Sequence, residues 1–368
     1  MDNTLYIHIP FCKQKCNYCD FASFAGRDFL IDDYLSALAK EAATTSFKKA
    51  QTLYIGGGTP SLLSVGQLEI LGKTITANFG EIASFSESTF ESNPESLTYE
   101  KLTLLKQMGF NRLSIGLQSF NEEELKLLGR VHTVSQFINA YENARKCGFD
   151  NINVDLIAGL PHQTLTAFLE SLRCLVELRP EHISVYGLQI EEGTKFFEKG
   201  IVCDQILMRK MLEQTHFLLK KHGYHHYEIS NFSLPSKEAI HNSHYWDNGN
   251  YIGLGSSAVS YQNGKRFQNI PVVEEYIRRI KNGETTVIFS EELTGQAKEG
   301  ETLMLGLRKL DGVELTPAQQ QYFGREIEKH IAAGLLIKED KKVKLSFEGL
   351  FLANEVFCSF VEPFEENL

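Results

Sequence analysis

Along the first half of the chain, near-continuous apolar runs alternate with stretches whose apolar positions recur every three or four residues. The runs TLYIHI (4–9), TLYIGGG (52–58), STFESN (88–93), RLSIGLQSF (112–120), NINVDLIAGLP (151–161) and HISVYGLQI (182–190) read as strands. Between them, IDDYLSALAKEAATT (31–45), SVGQLEILGKTITANF (64–79), SLTYEKLTLLKQMG (96–109), TVSQFINAYENARKCG (133–148) and TLTAFLESLRCLVEL (164–178) read as helices. Gly109 and Gly148 close two of these helices. Repeats of this kind, with strands too apolar to face water on either side, predict an α/β fold: a parallel sheet covered by helices, counted here as a partial (β/α)6 barrel. The polar and Gly-rich positions fall at the ends of the strands: Cys12, Gly56 to Thr59, Glu91, Gln118 and Asp155. In α/β folds that rim is where ligands bind.

The pattern changes near residue 191. DQILMRKMLEQTHFLLKKHG (204–223) predicts a long amphipathic helix, and the Tyr-, His-, Asn- and Gly-rich stretch 224–261 reads as a loop. VEEYIRRIKNG (273–283) is a charged helix. In the tail, 298–309 and 316–334 read as helices, followed by a strand pair at 335–340 and 342–347. That order is winged-helix-like, so the expected organisation is a core barrel over 1–225, a connecting loop and helix over 226–290, and a mostly helical, winged-helix-like domain over 291–368.

Composition narrows the classes. A net charge of −10 lacks the basic footprint of general nucleic-acid binding, so the tail is expected to be a structural or docking lid and no nucleic acid is expected as a partner. No apolar run is long enough for a transmembrane helix. MDNTLYIHIPF has no basic segment followed by a long apolar core, which predicts a cytoplasmic protein.

Three of the seven cysteines lie within YIHIPFCKQKCNYCDF (6–21), spaced C-x3-C-x2-C as Cys12, Cys16 and Cys19. Three thiolates in a short loop suit a [4Fe–4S] cluster with one iron left open. On count alone they also suit a zinc completed by a distant histidine such as His8, or a catalytic zinc with three protein ligands. Of the remaining cysteines, Cys147 ends a helical pattern and reads as a buried structural thiol, while Cys174, Cys203 and Cys358 have no neighbours at ligand spacing.

One β–α unit after the cysteines comes YIGGGTPS (54–61), whose glycines let backbone groups approach a ligand. Together with ESNP (91–94), RLSIGLQSF (112–120), LGRVH (128–132) and VDLIAGLPHQT (154–164), these segments resemble the radical S-adenosylmethionine (SAM) superfamily. The resemblance runs to most of the chain, within the branch that holds oxygen-independent coproporphyrinogen III oxidases and HemW-type heme chaperones. It implies that Cys12, Cys16 and Cys19 ligate a [4Fe–4S] cluster and that the methionine part of SAM chelates the open iron. An electron from the reduced cluster would then cleave the S–C5′ bond of SAM.

The same resemblance places Tyr6, Tyr18, Gly57, Gly58, Thr59, Glu91, Gln118, Arg130 and Asp155 around SAM, with Gln189 added. Gly57 to Thr59 would meet the ammonium, Arg130 the carboxylate, Gln118 and Asp155 the ribose, and Tyr18 the adenine. Each residue also has a plainer reading: Tyr6 as strand core, Glu91 as a helix cap, Arg130 on a solvated loop. Asp155, inside an apolar strand, needs a polar partner in any reading.

Two features depart from the oxidases. Their longer N-terminal extension has no counterpart before Thr4, and Phe21 stands where they carry a further cysteine. Instead HNSHYW (241–246), with the only tryptophan, matches the H-N-x-x-Y-W pattern of the heme chaperones, in which the histidine is implicated in heme binding. The resemblance therefore points to His241 as a heme ligand, against a structural hydrogen-bonding role in a Tyr/Trp-anchored loop, with His244, His225 and His226 in reserve. The expected cofactors are the cluster, SAM and heme. The expected partners are a heme-accepting protein of the respiratory kind and an electron donor; peripheral membrane association and a homodimer are left open.

Overall fold

The computed structural model describes residues 3–361. The outermost residues of the expected first and third segments, 1–2 and 362–368, lie outside them. The six anticipated strands form: β1 (Thr4–Ile9), β2 (Thr52–Gly57), β3 (Glu87–Ser92), β4 (Arg112–Gln118), β5 (Ile152–Ala158) and β6 (His182–Gly187). Each pairs in parallel with the next.

Their side chains alternate in kind as well as in direction. Leu5, Ile7, Leu53, Ile55, Phe90, Leu113, Ile115, Val154, Ile183 and Val185 are buried in one continuous core that also takes in the apolar faces of the surrounding helices. The positions between them, Tyr6, His8, Tyr54, Glu91, Ser114, Asn153, Asp155 and Ser184, point to the other face. Two of the helices begin at capping boxes that the sequence supplies. Ser64 and Gln67 form a capping box for Val65–Phe79, and Thr133 and Gln136 form one for Val134–Lys146.

The stretch read as a loop is largely structured. It supplies β7 (His225–Glu228), β8 (Asn231–Ser233), the helix Ile240–Trp246, β9 (Tyr251–Leu254) and β10 (Val259–Gln262). With β11 (Lys265–Asn269) and β12 (Val287–Glu292) they complete a 12-stranded sheet ordered β12-β11-β10-β9-β1-β2-β3-β4-β5-β6-β8-β7. Strand β9 pairs in parallel with β1 and extends the parallel core by one strand. Those beyond β9 and β6 are antiparallel. Such short, polar strands carry little periodic signal, and neighbours distant in the chain hold them. The two edge strands do not pair with each other, so the barrel is open, as the partial-barrel reading requires.

The helix Ile240–Trp246 lies under the sheet at the N-terminal ends of the strands. Its first N–H groups, those of Ile240 and His241, donate to the carboxylate of Glu87, the first residue of β3, at 2.8 and 3.1 Å. The tail builds a separate core from helices Gly295–Gly306 and Pro317–Ala332 and a three-stranded sheet of Val313–Glu314, Lys342–Leu345 and Leu336–Glu339. The Arg308 guanidinium sits 4.2 Å from the centre of the Trp246 ring, tying the tail to the 240–246 helix.

Candidate cofactor cavity at the strand ends

A cavity of about 380 Å³ opens at the C-terminal ends of the parallel strands. The cysteine loop forms one wall. It is held by Asn17, whose N–H donates to the Leu128 carbonyl at 2.9 Å and whose side-chain amide donates to the Leu127 carbonyl at 2.8 Å. Gly129 lies against Asn17 with φ of 73°, and a Cβ there would come within 3.1 Å of the Asn17 side chain.

All three thiols of Cys12, Cys16 and Cys19 are free and face the cavity. Each has its own donor or polar neighbour. Thr59 Oγ1 donates to Cys12 Sγ at 3.5 Å, Arg130 Nη1 to Cys16 Sγ at 3.5 Å, and Ser23 Oγ lies 4.0 Å from Cys19 Sγ. Burial raises the Cys12 and Cys19 pKa values, and the Thr59 and Ser23 hydroxyls pull against it. Among the described residues no three His, Cys, Asp or Glu side chains gather tightly enough for a single metal ion. Three thiols spread around a shared space, each with a polar neighbour, fit a cluster that is held at its corners.

The GGG turn forms the second wall. Gly58 N–H donates to the Ile9 carbonyl at 2.8 Å, and a Cβ on Gly58 would meet the Phe11 carbonyl at 2.7 Å and Cys12 Sγ at 3.0 Å. At Gly57, φ is 115° and a Cβ would strike the His8 ring at 2.6 Å. Only glycine brings this backbone against the cysteine loop. Beneath it, Glu91 accepts from Tyr54 Oη at 2.5 Å and from Gly57 N–H at 3.2 Å. Burial, reinforced by Asp155, pushes the Glu91 pKa up to about 7 against the pull of those hydrogen bonds.

The third wall comes from β4, β5 and the segment after the short helix Glu122–Leu128. Arg130 donates through Nη2 to Asn93 Oδ1 at 2.7 Å and to the Gly116 carbonyl at 2.8 Å. Gln118 has φ of 74°, where the β4–β5 register slips. That left-handed backbone is costly for a glutamine and turns its side chain toward the cavity. Asp155 accepts from Asn153 Nδ2 at 2.8 Å, which is the polar partner its place in an apolar strand demands. The Asn153 carbonyl oxygen in turn accepts from His182 Nδ1 at 2.6 Å and Ser184 Oγ at 3.0 Å.

Twelve of the fourteen anticipated residues therefore line one space: the three cysteines, Tyr18, Gly57, Gly58, Thr59, Glu91, Gln118, Arg130, Asp155 and Gln189. Tyr6 and His241 are not among those lining it. Tyr6 stands behind the wall, where its hydroxyl donates to His8 Nδ1 at 2.8 Å. His8 Nε2 must donate to the Ala22 carbonyl at 2.8 Å, so His8 braces the cysteine loop with both nitrogens in use. His241 lies at the opposite end of the barrel, buried, with Nδ1 2.7 Å from Thr52 Oγ1 and Nε2 3.0 Å from Tyr245 Oη. Burial drops its pKa to about 3, and neither nitrogen is open to an iron in this structure. Cys147 is half-buried rather than buried and lies 3.6 Å from Thr103 Oγ1.

Sequence reasoning missed Arg112, Asn93, Tyr54 and Asn153, which also line the cavity. The charged start of an otherwise apolar run, R in RLSIGLQ, was the available signal for Arg112. The other three look like ordinary strand or loop residues.

Comparison with known proteins bears on this arrangement. The profile described as the Radical SAM superfamily matches residues 6–175. The heme chaperone HemW of Bacillus subtilis (strain 168) is 38% identical over 97% of this chain and 98% of its own. The chain belongs to the HemW family of radical SAM proteins. The heme chaperone HemW of Escherichia coli (strain K12) is 40% identical over 71% of each chain. Among solved structures, the radical SAM enzyme coproporphyrinogen III oxidase (HemN) from Escherichia coli superposes with a TM-score of 0.85 at 25% identity, over 98% of this chain and 90% of that one. Membership of the radical SAM superfamily implies a [4Fe–4S] cluster and SAM. Among the described residues, no helix is long and apolar enough to cross a membrane.

Proposed function

We propose that this chain is a heme chaperone: it carries a [4Fe–4S] cluster on Cys12, Cys16 and Cys19, binds SAM beside it, and takes up heme for delivery to an acceptor protein. The observation that carries the cofactor part is the convergence of three free thiols, each with its own polar neighbour, on a cavity at the strand ends. The heme part rests on likeness to the HemW relatives named as heme chaperones. When bound, the reduced cluster supplies an electron for reductive cleavage of SAM.

The chain's own residues divide the remaining work. The Gly57 to Thr59 backbone and Glu91 receive the ammonium of SAM. Arg130, already aligned by Asn93 and Gly116, receives the carboxylate. Gln118 and Asp155 bind ribose hydroxyls, and Tyr18 packs beside the adenine. Tyr6 acts indirectly, by fixing His8 against the cysteine loop.

A second reading, coproporphyrinogen III oxidation, is favoured by the likeness to the oxidase fold. Phe21, 65% exposed at the end of the cysteine loop, weighs against it as a departure from the oxidase pattern. An anaerobic assay of the reconstituted chain with SAM, reductant and coproporphyrinogen III decides between them. No protoporphyrinogen IX is expected; its formation at catalytic turnover would reject the chaperone reading.

A further inference from the structure

The cavity at the strand ends reaches deeper than the residues assigned to the cluster and SAM. Arg112 opens β4 and Gln118 closes it, about 20 Å apart along the strand, yet both line the same space. Strand register builds the lower wall. Ser114 pairs with Glu91 on one side and with Asn153 on the other, and Asp155 pairs with Ser184. The 240–246 helix supplies the floor. His241 sets its ring 5.1 Å from that of Tyr54, and the next residue, Asn242, lines the cavity. The Asn242 amide holds no side-chain hydrogen bond among the described residues.

Arg112 is the unusual member of this lower chamber. It is 2% exposed, and a guanidinium stays charged in a protein. Only its Nη1 has a partner, Thr89 Oγ1, at a long 3.4 Å, and its buried Nε has none. It joins no ion pair among the described residues. Its charge bears on Glu91, Asp155, His182 and His241 from across the interior, without touching any of them. Burying a cation with so few partners is costly, and an anion on the guanidinium offsets that cost.

The surroundings select the anion. A guanidinium presents a planar fork that fits the two oxygens of a carboxylate. Glu91 and Asp155 line the same space and repel a doubly charged phosphate more than a single charge. The Ile157 side chain and the Tyr54 and Tyr186 rings add apolar wall for a short carbon chain. Arg112 lies at the end of β4 away from the rim, which favours a short free acid over the carboxylate arm of a large molecule seated at the mouth.

We propose that this lower chamber, between Arg112 and Asn242, binds a short organic acid through its single carboxylate. The site is separate from the residues assigned to SAM and does not depend on the heme-carrier reading.

Equilibrium dialysis of radiolabelled butyrate against the anaerobically reconstituted full-length chain tests it. Saturable uptake of a single equivalent is expected. Unlabelled acetate should displace the label, and phosphate at matched ionic strength should not. Arg112→Gln should weaken uptake by about tenfold or more. Asn242→Asp sets a carboxylate of its own in the chamber and should weaken uptake likewise. It keeps Arg112 in place, and so covers the case in which Arg112→Gln fails to fold. Iron content after reconstitution reports which variants are folded. No saturable uptake by the wild-type chain, as for a guanidinium met by water alone, would overturn the proposal. So would wild-type uptake in either folded variant, or displacement by phosphate as effective as that by acetate. Each of these results leaves the heme-carrier reading where it stood.

Discussion

Both ends of the barrel gather chemically capable residues, and they use them in opposite ways. At the C-terminal rim, the Cys12, Cys16 and Cys19 thiols, Arg130, Gln118 and Glu91 face a shared cavity. At the N-terminal end, His241, Tyr245, Glu87 and Thr52 are turned on one another. His241 spends both nitrogens, Glu87 caps the helix, and the Tyr245 ring packs edge-on against both His241 and Tyr251. Residue type announces what chemistry is available; only hydrogen-bond accounting shows whether a group is free to perform it. The cysteine loop leaves its thiols facing the cavity. The 240–246 helix holds His241 between Thr52 and Tyr245, and only Asn242 is among the residues lining that cavity.

Substitutions at the two ends should fail differently. The largest effect is expected from Cys16→Ala, which removes one corner ligand: the cluster absorbance of the anaerobically reconstituted protein should be lost while the far-UV circular dichroism stays unchanged. His241→Ala should show the reverse. It orphans Thr52 and Tyr245 in the interior and opens a cavity, costing about 3 kcal/mol in chemical denaturation. Cluster content and hemin affinity of the folded protein should stay at wild-type levels. Loss of hemin binding without loss of stability would show that His241 opens toward the ligand.

Within the rim, Arg130→Met should weaken SAM binding by about 2 kcal/mol in calorimetry, the scale of a charge-assisted hydrogen bond. An affinity equal to wild type would place the SAM carboxylate elsewhere.

The smallest effect concerns pH. With its pKa raised to about 7 in the folded chain, Glu91 adds stability that is fully present below its ordinary carboxylate pKa of 4.5 and is lost as pH rises through about 7. Glu91→Gln should flatten that loss, leaving the variant relatively more stable than wild type at pH 8. If ionised Glu91 receives the SAM ammonium, wild-type affinity should climb across the same interval and the variant's should not. Parallel profiles for the two proteins would remove Glu91 from the ammonium site.

The same distinction explains what could be read from the sequence. The six parallel strands were visible because each is a long apolar run bounded by glycine or polar residues, and so was the rim. The cysteine spacing and the glycines at 56–58 announced themselves because few other residue types can do their work. The flanking strands were not visible: HHYE, NFS and YIGL are too short and mixed to signal a strand, and tertiary pairing holds them in the sheet. Arg112 went unnoticed because a charged residue opening a strand usually faces solvent, yet here the side chain is fully buried beside the cavity. The hydrogen bonds of His241 could not be read because its partners, Thr52 and Tyr245, include one that is 189 positions away in the chain.

Whether this radical SAM chain carries heme or oxidises a porphyrinogen is decided by hemin titration of the anaerobically reconstituted protein, with the Soret band read in the presence of SAM. A heme carrier should saturate stoichiometrically with an imidazole-ligated spectrum. A hemin spectrum that stays unchanged across the titration would rule the carrier out.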